Sequence, residues 1–168
     1  IRNSTIASNL AVLGGGGLYF TGLPIPASPP LVYNSIVYGN RTGITVSNFV
    51  TSGTTDPEVR YSIVENTLDF TNSGNNRTGS SPHFMNPRDA SLAPVYTGRY
   101  SVSKCSPAIN TGNNSYITGY PNDLAGTTRI LNTTVDRGAY ENNSLVSAVP
   151  DIAGVVYVDR TKSGDGST

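Results

Sequence analysis

The chain has 168 residues, enough for one domain, and its 11 basic residues balance 11 acidic ones, so the formal net charge is zero. Charged residues make up 13% of the chain, and no basic region exists that would attract nucleic acid or an anionic membrane. No apolar run approaches the roughly 20 residues of a membrane helix, and the sequence predicts no transmembrane segment.

Small polar residues dominate the composition, with 19 Ser, 19 Thr and 17 Asn, whereas helix formers are scarce: three Glu, two Lys and no Gln. This balance disfavours helices and favours strands and tight turns. Disorder is the alternative for a polar chain of low charge. The apolar β-branched runs at residues 35–38 and 154–158, with ten Tyr and four Phe, favour a packed all-β fold instead.

Three segments of the chain look alike, at residues 3–9, 34–40 and 61–66. Each has a polar residue, a Ser, a short β-prone pair and then a step to Asn. They begin at Asn3, Asn34 and Tyr61, and a recurrence at intervals of this size is typical of solenoids. We therefore expect the three segments to occupy equivalent places on successive coils, paired in parallel and in register, with Ile6, Val37 and Val64 stacked on one face.

Nothing helical lies between the repeats, and sharp corners of Asn or Gly follow the strands. The sequence thus predicts a parallel β-helix. Proline-rich residues 21–30 and residues 52–57 are expected to leave the sheets as loops. The glycine run at residues 14–17 precedes a predicted strand rather than a helix, which indicates close backbone approach at a corner rather than a phosphate loop.

Several motifs carry a resemblance to a known bacterial family. In the first half they are Gly15-Gly16-Gly17-Leu18-Tyr19, Asn34-Ser35-Ile36-Val37-Tyr38-Gly39-Asn40, Tyr61-Ser62-Ile63-Val64 and Ser81-Pro82-His83-Phe84-Met85-Asn86-Pro87. Near the end they are Tyr100-Ser101-Val102, Ser106-Pro107-Ala108-Ile109-Asn110-Thr111-Gly112, and the segments 123–129 and 135–141. The chain resembles the polymorphic-outer-membrane-protein type of right-handed parallel β-helix, often carried by proteins with a choice-of-anchor C-terminal region.

In that family the late motifs close the C-terminal end of the coil. The resemblance therefore implies a structural end cap formed by Asp123, Arg129, Asp136 and Glu141. An Arg in a turn-rich cap needs a planar acceptor, so Arg129 is expected to pair with one of the three acids.

The composition changes after Glu141. We expect residues 1–141 to be the C-terminal part of a parallel β-helix domain, residues 142–153 to be a linker, and residues 154–168 to begin a following module. The strand predicted at residues 155–159 is expected not to pair with the coils of residues 1–141. It would either be docked on a separate body, in the next module or a neighbouring chain, or be poorly ordered.

Few carboxylates are available for catalysis between residues 1 and 80. Asp56 and Glu58 flank a proline and are typical of turn chemistry, while Glu65 and Asp69 are expected to be solvated side chains. A glycosidase needs two carboxylates facing each other across the bond. No catalytic residue is assigned.

The other reactive residue types give no site either. Cys105, the single cysteine, is predicted to be a small residue near a turn, and His83 to be packed in a turn. Asp159, Asp165 and Gly166 offer too few ligands for a calcium loop. We expect no metal and no cofactor.

The resemblance implies an extracellular or bacterial cell-surface location. We expect a non-catalytic β-helix module, structural or adhesive, in a larger protein. Its expected partners are adjacent β-helix modules of the same polypeptide or neighbouring copies, with surface glycans as a further candidate. The alternative is a carbohydrate-active enzyme, a polysaccharide lyase or glycoside hydrolase, whose active site lies in other coils.

Overall fold

A computed structural model describes residues 1–22, 28–52, 56–67 and 70–143. Within these ranges the chain consists of short β-strands and turns, with two 3-10 turns at Ala90–Leu92 and Asn114–Tyr116 and no α-helix. The all-β class is therefore confirmed. Residues 144–168, and with them most of the predicted linker and the predicted strand at 155–159, lie outside the described residues.

The described part contains fourteen strands of two to four residues, too short to be stable without neighbours. In chain order they are β1 (Thr5–Ala7), β2 (Leu10–Ala11), β3 (Leu18–Thr21), β4 (Leu31–Tyr33), β5 (Ile36–Tyr38), β6 (Arg41–Thr42), β7 (Thr45–Val46), β8 (Phe49–Ser52), β9 (Glu58–Arg60), β10 (Ile63–Val64), β11 (Thr71–Asn72), β12 (Arg77–Thr78), β13 (Phe84–Asn86) and β14 (Arg99–Val102). The two predicted loops, at residues 21–30 and 52–57, lie partly outside the described residues.

The three sequence repeats lie side by side as parallel strands. β1 pairs with β5, and β5 with β10, so that Ile6 lies opposite Val37 and Val37 opposite Val64. β12 extends this sheet to the order β1-β5-β10-β12. The predicted parallel, in-register pairing of the repeats is confirmed.

Other sheets repeat the same stacking. β4, β9 and β11 form a second parallel sheet, β3 pairs with β8 in parallel, and β2 pairs with β6 in parallel. We call the levels of the stack tiers: tier 1 is β1 to β3, tier 2 is β4 to β8, tier 3 is β9 and β10, and tier 4 is β11 and β12. Within tier 2, β7 folds back antiparallel on β6.

Successive residues of the repeat strands face opposite sides of their sheet, as strand geometry requires. Val37 and Val64 are fully buried in an inner core, where the half-buried Ile6 packs against them. Ile36 and Ile63 are buried in a second cluster on the other side of the sheet. The predicted stacking of Ile6, Val37 and Val64 on one face is therefore confirmed.

The chain turns into each repeat strand through a left-handed residue. The backbone φ angles are +46° at Asn3, +49° at Asn34 and +49° at Tyr61, which are equivalent places in the three repeats. Asn tolerates this conformation better than most residues because its short polar side chain bonds locally. The corner geometry thus repeats from tier to tier.

Serines follow these corners and connect the tiers. The Ser35 hydroxyl accepts a hydrogen bond from the Ser4 N–H at 3.2 Å, and the Ser62 hydroxyl accepts one from the Ser35 N–H at 3.1 Å. The Ser62 N–H donates in turn to the Asn76 side chain at 2.9 Å. Buried backbone donors at the corners are thereby satisfied, which a buried turn requires.

The glycine run lies where two tiers come closest. A Cβ on Gly16 would stand 2.3 Å from the backbone oxygen of Arg41, and one on Gly17 would stand 2.4 Å from the backbone oxygen of Asn48. Any larger residue would push tiers 1 and 2 apart. This is the close backbone approach that the sequence predicts.

The turn of the chain from tier 3 to tier 4 is shorter than the turn from tier 2 to tier 3. Ser35 and Ser62, on neighbouring tiers, are 27 residues apart, but Ser62 and its partner Asn76 are 14 apart, too few for a full turn of the same size. Phe70 fills the inner core at this level, with its ring centre 5.3 Å from that of Phe49. The shortened turn and this aromatic ring close the core on that side.

Residues 81–143 cover the outer side of the main sheet. Val102, Ala108 and Ile109 are buried against Ile36 and Ile63 in the second hydrophobic cluster. β13 and β14 pair antiparallel in this region, with a register irregularity. Residues 102–109 are thus held by burial of apolar side chains, worth about 25 cal/mol per Å² of apolar area.

Candidate functional site

An open cleft of about 450 Å³ lies between the edge of tiers 1 and 2 and the segment 81–90. Its walls combine charged, hydroxyl, imidazole and apolar groups. They are formed by Ser8, Tyr38, Gly39, Arg41, Ser81, Pro82, His83, Phe84, Pro87, Arg88, Asp89 and Ala90. The volume falls within the range of roughly 300 to 1,000 Å³ found for ligand pockets.

The floor of the cleft is fixed by an ion pair. Arg41 donates to both carboxylate oxygens of Glu65, at 2.7 and 2.8 Å, and the Gly39 N–H donates to the same carboxylate at 2.9 Å. Burial would raise the pKa of Glu65, but Arg41 and Gly39 outweigh it and hold that pKa below its usual range. The expectation of a solvated Glu65 is wrong, because the paired Arg41 follows β5 on the tier above.

Tyr38 and Asp89 face the cleft from opposite walls. Burial raises the pKa of Tyr38, with Glu65 adding to the effect, while a side-chain hydrogen bond with Ser81 opposes it. Asp89 begins a 3-10 turn by accepting from the Ser91 N–H at 2.8 Å. Hydrogen bonds from Ser91 hold the pKa of Asp89 below its ordinary value, so the carboxylate is ionised at neutral pH.

His83 stands at the mouth of the cleft with a left-handed backbone, φ +50°. Its Nδ1 lies 3.3 Å from the carbonyl oxygen of Cys105, and Cys105 is exposed in a turn. The contact involves the peptide oxygen, so it does not make the imidazole a base for the thiol. Cys105 lies in a turn, as the sequence predicts, whereas His83 is exposed directly before β13 and is not packed in a turn.

The four residues expected to form an end cap come together around Glu141. Arg129 pairs with the Glu141 carboxylate at 3.3 Å and donates to the Gly138 carbonyl at 3.1 Å. The other Glu141 oxygen accepts from the Asp136 N–H at 3.0 Å, and the Glu141 N–H donates to Asp123 at 2.8 Å. The predicted pairing of Arg129 with an acid is confirmed, and the acid is Glu141.

Burial governs the charge of this cluster. It raises the pKa of Asp136 to about 6 and the pKa of Glu141 to about 7, although backbone N–H donors and Arg129 work in the opposite direction. Asp136 and Glu141 share the positive charge of Arg129, so this pair takes up a proton near neutral pH.

The segment carrying this cluster crosses three tiers at their corners. Arg137 donates to the Ser62 carbonyl in tier 3 at 3.0 Å, the Gly138 N–H donates to Asn34 in tier 2 at 2.7 Å, and the Ala139 N–H donates to Thr5 in tier 1 at 3.0 Å. These contacts brace the side of the stack. Closure of its end by the four cluster residues stays a prediction.

The acids of the described residues are engaged in structural contacts. Asp56 accepts from the Thr51 hydroxyl at 2.9 Å, and Glu58 lies in β9, paired with Arg60, rather than in the predicted loop. Asp69 lies outside the described residues. Among the residues described, no group of three or more His, Cys, Asp or Glu could hold a metal ion.

The sequence did not single out the cleft. Asp89 lies just after the motif at residues 81–87 and is not part of it. Arg41 and Tyr38 are residue types that are common in ordinary strands. The repeat spacing between Ser35 and Ser62 offered one signal, because it brings Glu65 onto the level next to Gly39 and Arg41. The two partners are 24 residues apart, not the 27 of the repeat, so spacing alone does not identify the ion pair.

In the ranges that the structure describes, no helix is both long and apolar enough to cross a membrane. Comparison with models of protein families, with curated proteins and with solved structures finds no match to this chain.

Proposed function

We propose that residues 1–141 belong to a right-handed parallel β-helix domain, and that this domain is a non-catalytic structural or adhesive module of a secreted or cell-surface bacterial protein. The observation that carries the proposal is the in-register parallel stacking of three sequence repeats in one sheet. Parallel strands linked by crossover connections are right-handed in about 98% of cases, which supports the hand.

Side-chain ladders support the solenoid. Asn40 is fully buried, accepts from the N–H and side-chain amide of Asn9 at 3.1 and 2.9 Å, and donates to the side chain of Asn48 at 3.0 Å. Such ladders recur where equivalent corners of stacked coils face each other. This ladder rigidifies the stack because the buried Asn40 amide is satisfied by its neighbours.

A role without catalysis is supported by how the acids are used. Glu65 is locked by Arg41, and the cluster of Asp123, Asp136 and Glu141 is held in backbone hydrogen bonds. A hydrolase needs carboxylates that are free to reach a substrate bond from both sides. The described acids serve the packing of the stack instead.

The upper side of tier 1 supports adjacent β-helix modules as partners. Ile6, Leu18 and Phe20 pack against the inner core but remain partly exposed. β1 and β3 stand at the end of their sheets, and such edges accept further strands. A neighbouring module that continues the tiers would bury both the side chains and the strand edges.

The stacking is tested by cross-linking exposed neighbours on β3 and β8. In a Cys105→Ser background, Thr21→Cys with Ser52→Cys should form a disulfide, because these residues are parallel partners. Thr21→Cys with Thr51→Cys is the matched control, since Thr51 faces the opposite side. A cross-link in the control pair alone would contradict the register and with it the solenoid.

The non-catalytic role is tested with pectin, alginate and a glycosaminoglycan. The full chain should release no unsaturated or reducing ends. If the chain releases such ends and the Glu65→Gln variant does not, the proposal is overturned and the carbohydrate-active alternative is favoured. Labelling of intact cells of the source bacterium with an antibody to the chain tests the surface location.

A further inference from the structure

We propose that the cleft between tiers 1 and 2 and residues 81–90 binds a neutral saccharide. This inference rests on the proposed function and assigns a site and a ligand class to its adhesive form. The shape, the charge balance and the hydrogen-bonding groups of the cleft favour a ligand of this class.

One wall of the cleft is apolar and fixed. Phe84, Pro82 and Pro87 line it, and the Phe84 ring is held edge-on against Tyr100 with centroids 5.4 Å apart. Flat apolar side chains of this kind can cover the C–H face of a sugar ring. Because proline has few side-chain rotamers and the Phe84 ring packs against Tyr100, little side-chain entropy is lost when a ligand is bound.

The formal charges of the cleft balance. The Arg41 guanidinium is matched by Glu65 through two hydrogen bonds, and Arg88 and Asp89, which are adjacent in the chain, add one charge of each sign to the lining. A ligand of either net charge would therefore meet no excess of opposite charge in the cleft. The balance favours a polar ligand without net charge.

Hydrogen-bonding groups of both kinds face this apolar wall. Asp89 uses one carboxylate oxygen for the Ser91 N–H, and an ionised carboxylate has about four acceptor sites, so it can accept from sugar hydroxyls. If Nδ1 of His83 donates to the Cys105 carbonyl, Nε2 is left as an acceptor. Tyr38 and Ser8 add hydroxyls that donate as well as accept.

Binding is tested with the full chain and a defined set of probes: maltotriose, cellotriose and chitotriose as neutral saccharides, and trigalacturonate as an acidic one. Isothermal titration calorimetry should give a Kd of about 10 mM or lower for at least one neutral probe. Trigalacturonate should bind with a higher Kd. Asp89→Asn should weaken binding about tenfold or more, because it removes the charged acceptor but keeps an oxygen for the Ser91 N–H. Tyr38→Phe should weaken it about threefold or more.

The control is Asp56→Asn, an exposed carboxylate away from the cleft, which should leave binding unchanged. Absence of binding by every neutral probe, tighter binding of trigalacturonate, or full binding in Asp89→Asn would each overturn the inference. Such failure leaves the proposed module intact if the Thr21–Ser52 cross-link forms. Turnover of a bound probe would instead refute the non-catalytic role.

Discussion

Replacing Arg129 by Ala should destabilise the fold more than any other single change at the C-terminal cluster. Its side chain is 7% exposed and that of Glu141 is 1% exposed, so the change leaves a buried carboxylate without its cation. Breaking a buried pair costs about 3 to 5 kcal/mol. The pair distance of 3.3 Å and the 3.4 Å contact with the Asn3 carbonyl are long, which places the expected loss at about 3 kcal/mol.

The loss of stability in Arg129→Ala should depend on pH, because the pKa values of Asp136 and Glu141 are raised. The pKa of Asp136 rises from 3.8 to about 6 and that of Glu141 from 4.5 to about 7 on folding. The folded state therefore holds more protons than the unfolded state between these limits, and the free energy of unfolding falls as the pH rises from about 4.5 to 7. Without Arg129 the pKa of Glu141 rises further, so the variant should lose more stability at pH 8 than at pH 5.

Urea unfolding of both proteins at pH 5 and pH 8 measures this difference. At pH 5 a protonated Glu141 limits the loss to that of hydrogen bonds, about 1 kcal/mol, against about 3 kcal/mol at pH 8. Arg99→Ala is the matched control, because Arg99 is exposed on β14 and should change stability by less than about 0.5 kcal/mol. A loss for Arg129→Ala that is below about 1 kcal/mol and equal at both pH values would refute the reasoning.

Two further changes test the stack. Ile63→Ala should lower the free energy of unfolding in urea by about 3 kcal/mol, since the side chain is fully buried against residues 102–109. Val12→Ala, at an exposed site, is the control and should change it by almost nothing. Gly16→Ala should lower the midpoint of thermal unfolding, because its Cβ would lie 2.3 Å from a backbone oxygen of the next tier; an unchanged midpoint would show that the tiers can separate there.

The repeats were predictable because their signal is local. A Ser followed by a β-prone pair specifies a short strand, and the recurrence of this pattern at Ser4, Ser35 and Ser62 fixes which strands are neighbours. The glycine run was predictable for a similar reason, since several residues without a Cβ are needed only where backbones approach closely. Both interpretations required no knowledge of distant contacts.

The side contacts were not predictable, because they join residues far apart in the chain. Arg41 and Glu65 are 24 residues apart, and Arg129 contacts the carbonyl of Asn3 across 126 residues. No periodicity marks such pairs, and their residue types also occur in ordinary solvated positions. Nothing in the sequence indicated that the segment 135–141 returns along the corners of three tiers rather than lying across one end.

The two ends of the stack differ in how completely their inner apolar side chains are buried. Phe70 and the shortened turn close the inner core at tier 3, where Val59 and Val64 are fully buried. At tier 1 the equivalent inner residue, Ile6, is partly exposed beside an unpaired strand edge. Both ends present a strand edge, β1 at tier 1 and β12 at tier 4, so it is apolar burial that favours addition at tier 1. Association through tier 1 would therefore extend the stack from one end, while the brace formed by residues 135–141 keeps the described tiers in register.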